Sequence, residues 1–313
     1  MKDKLIRFLP VLSGICWGSS GVFVRILDSS GLGNTTITFV RLLMTVSFMA
    51  IWILITDRSL FRISRKDLPL LAFSGIFGYF FMNLTYNYSI TNLSMSLASI
   101  LLCTAPVYVI IIGAVIFKEK ITLKKIICMA AVLLGCILLS GVVDSGTLKW
   151  SLLGIAAGVG SSISNAVCTM GCNEASGVRG IRPVTVLFYN CLAALICITP
   201  FADFGQAAEY VSSGPAKALL VLSMNALVSC LLPNLMFNIS FKHMDSGDVS
   251  ILASGAEPTS ALILGIILYS EIPTVSGLIG MIMVIGAIIV LTKAENKKTK
   301  VDYKEIINGE IDK

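Results

Sequence analysis

Charge is what this chain has least of. Only 13% of its 313 residues are Asp, Glu, Lys or Arg, against about 25% in an ordinary soluble protein. That is too little polar surface to cover a water-soluble globule. Histidine occurs once, as His243, so little is available for base catalysis or metal ligation. A glycine-rich phosphate loop is missing, which argues against ATP drive from this chain. No compact basic domain or aromatic-basic module accompanies the formal charge of +6, so no nucleic-acid partner is expected. An extracellular disulfide framework is also missing. The nine cysteines, Cys16, Cys103, Cys128, Cys136, Cys168, Cys172, Cys191, Cys197 and Cys230, lie in or beside apolar stretches and read as packing residues. Cys168 and Cys172 share a helix face, but no nearby His or further acid completes a metal site. Neither metal nor cofactor is expected.

What is present is apolar length. Hydrophobic residues make up 56% of the chain. Ten runs are long enough to cross a bilayer: about 8–27, 35–56, 68–90, 94–117, 121–143, 149–170, 182–201, 216–241, 247–269 and 273–292. Lys2, Lys4 and Arg7 before the first run imitate a signal peptide, but the run is too long for a signal core. It reads as an uncleaved first span. The segment 201–215 is the longest external loop and has room for a short interfacial helix. The tail from Ala294 is polar and charged and is expected to be disordered.

Loop charges fix the orientation. With the N-terminus inside, twenty Lys and Arg fall in inner segments, while only Lys149 and Lys217 fall outside. Arg25 and Arg41 lie within spans. This is the positive-inside pattern, and it places both termini in the cytoplasm of a cell with the protein in its inner membrane.

One stretch occurs twice. Residues 96–119 and 248–271 align with a shift of 152, which sets Pro106 on Pro258, Gly113 on Gly265, Phe117 on Tyr269 and Glu119 on Glu271. Each is an apolar helix with a central proline and a terminal glutamate. The lysines after the first copy have no counterpart after the second, so the copies end on opposite faces. Five spans per unit force the same result. The expected architecture is all-α and membrane-embedded, with ten spans arranged as two inverted five-helix repeats around a central cavity. The first repeat is 1–145, the second 146–293, and 294–313 is a cytoplasmic tail. The junction is near Asp144–Lys149.

The candidate working residues lie inside the spans. Glu257 stands near the middle of the ninth, just before Pro258, at a depth where a charge costs about 2–3 kcal/mol or more. Its helix face carries Ser246, Ser250, Ser254 and Ser260, with Leu252, Ile263, Ile266 and Ile267 opposite. So Glu257 is expected to face the bundle interior. A protonated structural glutamate is the bland alternative. Pro106 and Pro258 withdraw an N–H and release the carbonyls of Leu102 and Ser254, which marks them as hinges or as packing kinks. Arg41 in the second span either binds a substrate carboxylate, pairs with an acid or snorkels; Arg25 snorkels. Polar stripes run along five spans. Tyr79, Asn83, Tyr86, Asn87 and Ile90 mark the third, and Asn225, Ser229, Asn234 and Asn238 the eighth. Trp17 stands with Ser13 and Ser20 in the first, Ser96, Ser99 and Cys103 are in the fourth, and Ser161, Ser164, Asn165 and Cys168 in the sixth. Each stripe alone is interhelical glue; together they favour a wet or substrate-filled centre. Gly14/Gly18 and Gly154/Gly158 read as close helix contacts. The fifth and tenth spans are almost wholly apolar and belong at the periphery or at a subunit contact, as in a homodimer.

The Trp17-Gly18 pair, the Phe39-Val40-Arg41 start of the second span and the two proline-to-glutamate helices resemble the drug/metabolite transporter superfamily, in particular its EamA-like ten-span members. The resemblance covers about residues 5–292. It implies a basket in which spans one, three, four, six, eight and nine surround the cavity. It also implies export of small metabolites, amino acids or drugs, mostly in bacteria. A glutamate before the second-half proline is common in the family; the first half here has Ala105 instead, so the halves are chemically unequal. The function expected is a secondary transporter working by alternating access. Glu257 either couples export to protons or holds a cationic group of the substrate. A membrane-embedded enzyme is the alternative from another class, but it would need a converging acid, base or nucleophile, and no second intramembrane acid accompanies Glu257. A channel and a non-transporting receptor are further rivals.

Overall fold

The computed structural model describes residues 6–93, 95–140, 151–270 and 274–291. The junction at 144–149, Glu271, the tail from Ala294 and the side chains of Ile90 and Ser96 lie outside that description. Among the described residues all regular structure is helical. Helix α1 is Leu9–Asp28 and α2 is Asn34–Thr56. Helix α3 runs through Leu68–Gly75, a π-helical turn at Ile76–Phe81, and Met82–Asn92. Helix α4 is built of two segments, Met95–Leu102 and Ala105–Ile116. Helix α5 is Leu123–Leu139. Helix α6 is Leu152–Cys172, prolonged by a π-helical segment at Asn173–Val178, so it runs past the end near 170 that hydropathy predicts. Helix α7 is Pro183–Ile198 and α8 is Phe204–Ser213. Helix α9 joins Pro215–Ala226, a π-helical turn at Leu227–Leu231, and Leu232–Ser240. Helix α10 is Ser246–Tyr269 and α11 is Val275–Leu291.

Eight of these helices are long and apolar enough to cross a membrane: α1, α2, α3, α4, α6, α7, α9 and α10. Helix α5 has 17 residues, and α11 is a shorter apolar helix. Helix α8 forms within the segment 201–215, where the Asp203 carboxylate accepts from the first-turn amides of Gly205 and Gln206. Large apolar side chains stand on the outside of the bundle; Leu152 is 89% exposed, Ile55 80% and Val115 76%. In water such a surface would be unstable, and in a bilayer it is the required one.

Local structure repeats with the sequence. The π-helical turns of α3 and α9 overlap when the chain is shifted by 152. Lys118 and Ser270, also 152 apart, are the two non-glycine residues with left-handed backbone among the described residues, at φ 55° and 52°. Each lies at the end of its helix, where the closing bonds differ. Gly113 carbonyl accepts from Phe117 and Glu119, and Gly265 carbonyl from Ser270. The two prolines differ, however. Pro258 lies inside the continuous α10, whereas Pro106 stands in the first turn of the second α4 segment. Helix α4 is interrupted at Cys103–Thr104, just ahead of its proline. Proline disfavours helical backbone in the residue before it and is at home in a first turn.

Helices α1 and α10 meet backbone to backbone. A Cβ on Gly14 would lie 2.3 Å from the Ala253 carbonyl oxygen, and one on Gly18 the same distance from that of Glu257. Helices α5 and α11 touch through Gly135 and Gly280 and turn Leu134, Ile279 and Ile282 outward. Leu252 does not face lipid as its position opposite Glu257 predicts. It is fully buried, with Val249 and Ile251, because α10 is enclosed by α1, α4 and α5 along its first half. The expected lipid face exists only further on, at Ile263 and Ile267.

Candidate functional site

Glu257 is half-buried and has no hydrogen-bond or ion-pair partner among the described residues. Its carboxyl is within electrostatic reach of the Tyr86 phenol on α3 and the Cys103 thiol on α4. Tyr86 Oη and Ser99 Oγ are 2.9 Å apart, which ties α3 to α4 beside the acid. Ser260, one turn beyond Glu257, donates to the Glu257 carbonyl at 2.9 Å. Ser254, one turn before, is half-buried. An ionisable group at this depth without a fixed partner fits a position facing water or a ligand.

The interruption of α4 is stitched to α6. Ser162 Oγ donates to the Leu102 carbonyl at 3.3 Å and lies 2.8 Å from Thr104 Oγ1. The carbonyl that Pro106 releases is therefore satisfied by the neighbouring helix. Asn165, one turn along α6, is half-buried.

A second polar group joins the π-helical turn of α3 to the last segment of α9. Tyr79 Oη donates to Asn234 Oδ1 at 2.5 Å. The thiols of Cys168, Cys172, Cys191 and Cys230 lie within electrostatic reach of Tyr79. Arg41 reaches the Cys191 and Cys230 thiols from α2, and its Nε is buried without a partner. Arg41 thus belongs to the α2–α7–α9 contact and not to the surroundings of Glu257. Asn225 and Ser229, on the neighbouring turns of α9, are 0% and 4% exposed; both polar atoms of the Asn225 amide and the Ser229 hydroxyl lack a partner. Buried polar atoms of this kind need a water or ligand partner. Trp17 tilts against Phe237 with ring centroids 5.1 Å apart, which places it between α1 and α9.

The single stripe expected on α3 is split. Tyr79 and Tyr86 face the groups just described, whereas Asn83 and Asn87 line a cleft with Thr35, Thr38, Phe80 and Phe201. The π-helical turn at Ile76–Phe81 holds Tyr79 and shifts the register of Asn83, Tyr86 and Asn87, which follow it, together.

The sequence reading missed a charged cluster at one end of the bundle. Lys125 is 3% exposed and pairs with Asp245 at 3.0 Å and Asp248 at 3.6 Å. Glu119 accepts from the Ser246 amide at 3.1 Å and hydroxyl at 2.6 Å. Lys125 was counted only as a loop cation; the signal overlooked is that acids crowd the start of α10. Nearby, Arg182 pairs with Asp57, and Arg179 with Asp67 and Glu174. Hydrogen bonds from Ser59, with Arg182 beside it, hold the Asp57 carboxyl down to about 2. Glu174 and Asp67 push Arg179 above its usual range.

A helical, apolar bundle with one unpaired acid at mid-helix is the design of a membrane transport protein. The EamA-like transporter family matches the chain twice, over residues 5–141 and 148–293. The chain belongs to that family and is a multi-pass membrane transporter of the drug/metabolite transporter superfamily. It is 24% identical to the uncharacterized transporter YxxF of Bacillus subtilis (strain 168) over 293 residues, 92% of this chain and 89% of that one. It is 26% identical to an uncharacterized transporter of Archaeoglobus fulgidus over 281 residues, 90% and 93% of the two chains. A crystal structure of another protein superposes with a TM-score of 0.73 at 16% identity, over 95% of this chain and 98% of the other; it supports the fold.

Proposed function

We propose that this transporter is a secondary active exporter of small metabolites, amino acids or drug-like compounds, working by alternating access. Its two halves, residues 1–145 and 146–293, are five-helix repeats inserted in opposite senses. The shared π-helical turns, the paired left-handed helix ends and the two family matches support the duplication. The distribution of Lys and Arg supports an inner-membrane location with both termini, and so the tail 294–313, in the cytoplasm.

The observation that carries the function is Glu257, a half-buried carboxyl with no described partner, between Tyr86 and Cys103. In this reading it takes up a proton during each cycle, or holds a cationic group of the substrate, at a site between α3, α4 and α10. Tyr86 and Ser254 line that site. The Tyr79–Asn234 group, with Arg41, Asn225 and Ser229, lies along α9 and binds the substrate's polar part; Trp17, Asn83 and Asn165 complete the lining. Pro258 is the hinge of α10, and the interruption before Pro106 is that of α4. The bilayer is the lasting partner, and the α5–α11 face is where a homodimer would form.

Uptake of labelled amino acids and amines into proteoliposomes tests this. Glu257→Gln is expected to lower pH-driven flux on the order of a hundredfold and to flatten its pH dependence. Unchanged flux with unchanged pH dependence removes the proposal.

A further inference from the structure

Four of the ion pairs among the described residues cross between the two halves at one end of the bundle. Lys125 with Asp245, Lys125 with Asp248, Asp67 with Arg179, and Asp57 with Arg182 each join a residue before 145 to one after 146. The Glu119 contacts with Ser246 do the same. At the opposite end, where the α1–α2 loop meets α8, the described contacts across the halves are uncharged donors and acceptors: the Gly33 amide donates to Gln206 Oε1, and the Asp203 amide to Thr36 Oγ1.

Within the charged end the α4–α5 turn is built to reach α10. The left-handed backbone at Lys118 turns the chain after α4, and the Glu119 carboxylate arrives on the first turn of α10. There it receives the Ser246 amide, one of the donors a helix start leaves unsatisfied. Thr122 caps α5 by accepting the Lys125 amide, so Lys125 leaves from the first turn with its ammonium toward Asp245 and Asp248. A buried ion pair adds little net stability, since desolvation offsets the attraction. It suits a contact that opens and closes. Water entering on separation rehydrates the charges, whereas opening an apolar seal exposes apolar surface with no compensation.

We propose that Lys125 and Glu119, with Ser246, Asp245 and Asp248, form the lock of the gate at this end. The lock clasps the α4–α5 turn of one half to the start of α10 in the other and releases it once per transport cycle. The proposal rests on the alternating-access reading. Lys125 and Glu119 are positioning residues; they hold the closed arrangement without touching substrate.

Hydrogen–deuterium exchange on the full chain in lipid nanodiscs, without substrate, tests the lock. Glu119→Gln and Lys125→Met are each expected to raise exchange in residues 119–126 and 245–250 by roughly tenfold. Exchange in 29–36 and 203–213, at the opposite end, is expected to fall in the same variants. Lys125→Met leaves two acids behind; Lys125→Met/Asp248→Asn removes the buried partner as well and is expected to give the same reciprocal change if the single variant does not fold. A rise at the charged end with no fall at the other, or no change at either, overturns the lock and reduces the cluster to local structure. Flux through the wild type is read separately. Flux without reciprocal exchange removes the lock and keeps the transporter reading; reciprocal exchange without flux removes the transporter reading and with it the lock's release in a transport cycle, and leaves only a coupling between the two ends.

Discussion

Gly18 and Gly21 lie one turn apart on α1 and show how much a single methyl group decides. A Cβ at Gly18 would fall 2.0 Å from Ser260 Oγ and 2.3 Å from the Glu257 carbonyl oxygen, whereas nothing lies within 4 Å of one at Gly21. Gly18→Ala is expected to destabilise the protein by about 1–3 kcal/mol through overpacking. Gly21→Ala is expected to be neutral or to stabilise by up to about 1 kcal/mol through helix propensity. Thermal unfolding in detergent followed by thiol exposure separates the two; equal shifts would deny the α1–α10 contact. At this scale the sequence spoke clearly about Glu257, because an acid in an apolar helix has few explanations. It misled about Leu252. Lipid tails are as apolar as a protein core, so a leucine pattern does not say which of the two it faces.

The helix ends carry the repeat more visibly than the side chains between them. Lys118 and Ser270 hold left-handed backbone, the conformation that glycine adopts at least cost. Lys118→Gly and Ser270→Gly are each expected to stabilise by roughly 0.5–1 kcal/mol, seen as a rise in Tm. A fall in both would mean that the side chains there do more than close a turn. The elements themselves were legible, since hydropathy located eight membrane-length helices and α8 within a few residues, the end of α6 at Val178 excepted. The π-helical turns were not. They shift the helix that follows by one position without altering composition, so no pattern of residue types announces them. The matched prolines stand in different local settings. Proline removes a donor wherever it stands, but whether it bends a helix or begins one depends on its neighbours, and at Pro106 α6 supplies Ser162 to the broken turn.

Over the whole molecule one proposed arrangement is central: two five-helix units threaded through the bilayer in opposite senses and clasped by ion pairs at one end. Loop charges predict a sense for each unit, but they do not show that the same charges reach across to bind the halves, because pairing partners more than 100 residues apart leave no local pattern. Alkaline phosphatase, active only outside the cytoplasm, reads the arrangement directly when fused after Lys120, at the end of the first proline-bearing helix, and after Ile272, at the end of the second. Activity at Ile272 with none at Lys120 is the predicted result. Equal activity at both positions would mean that the two helices run the same way, and would contradict the account.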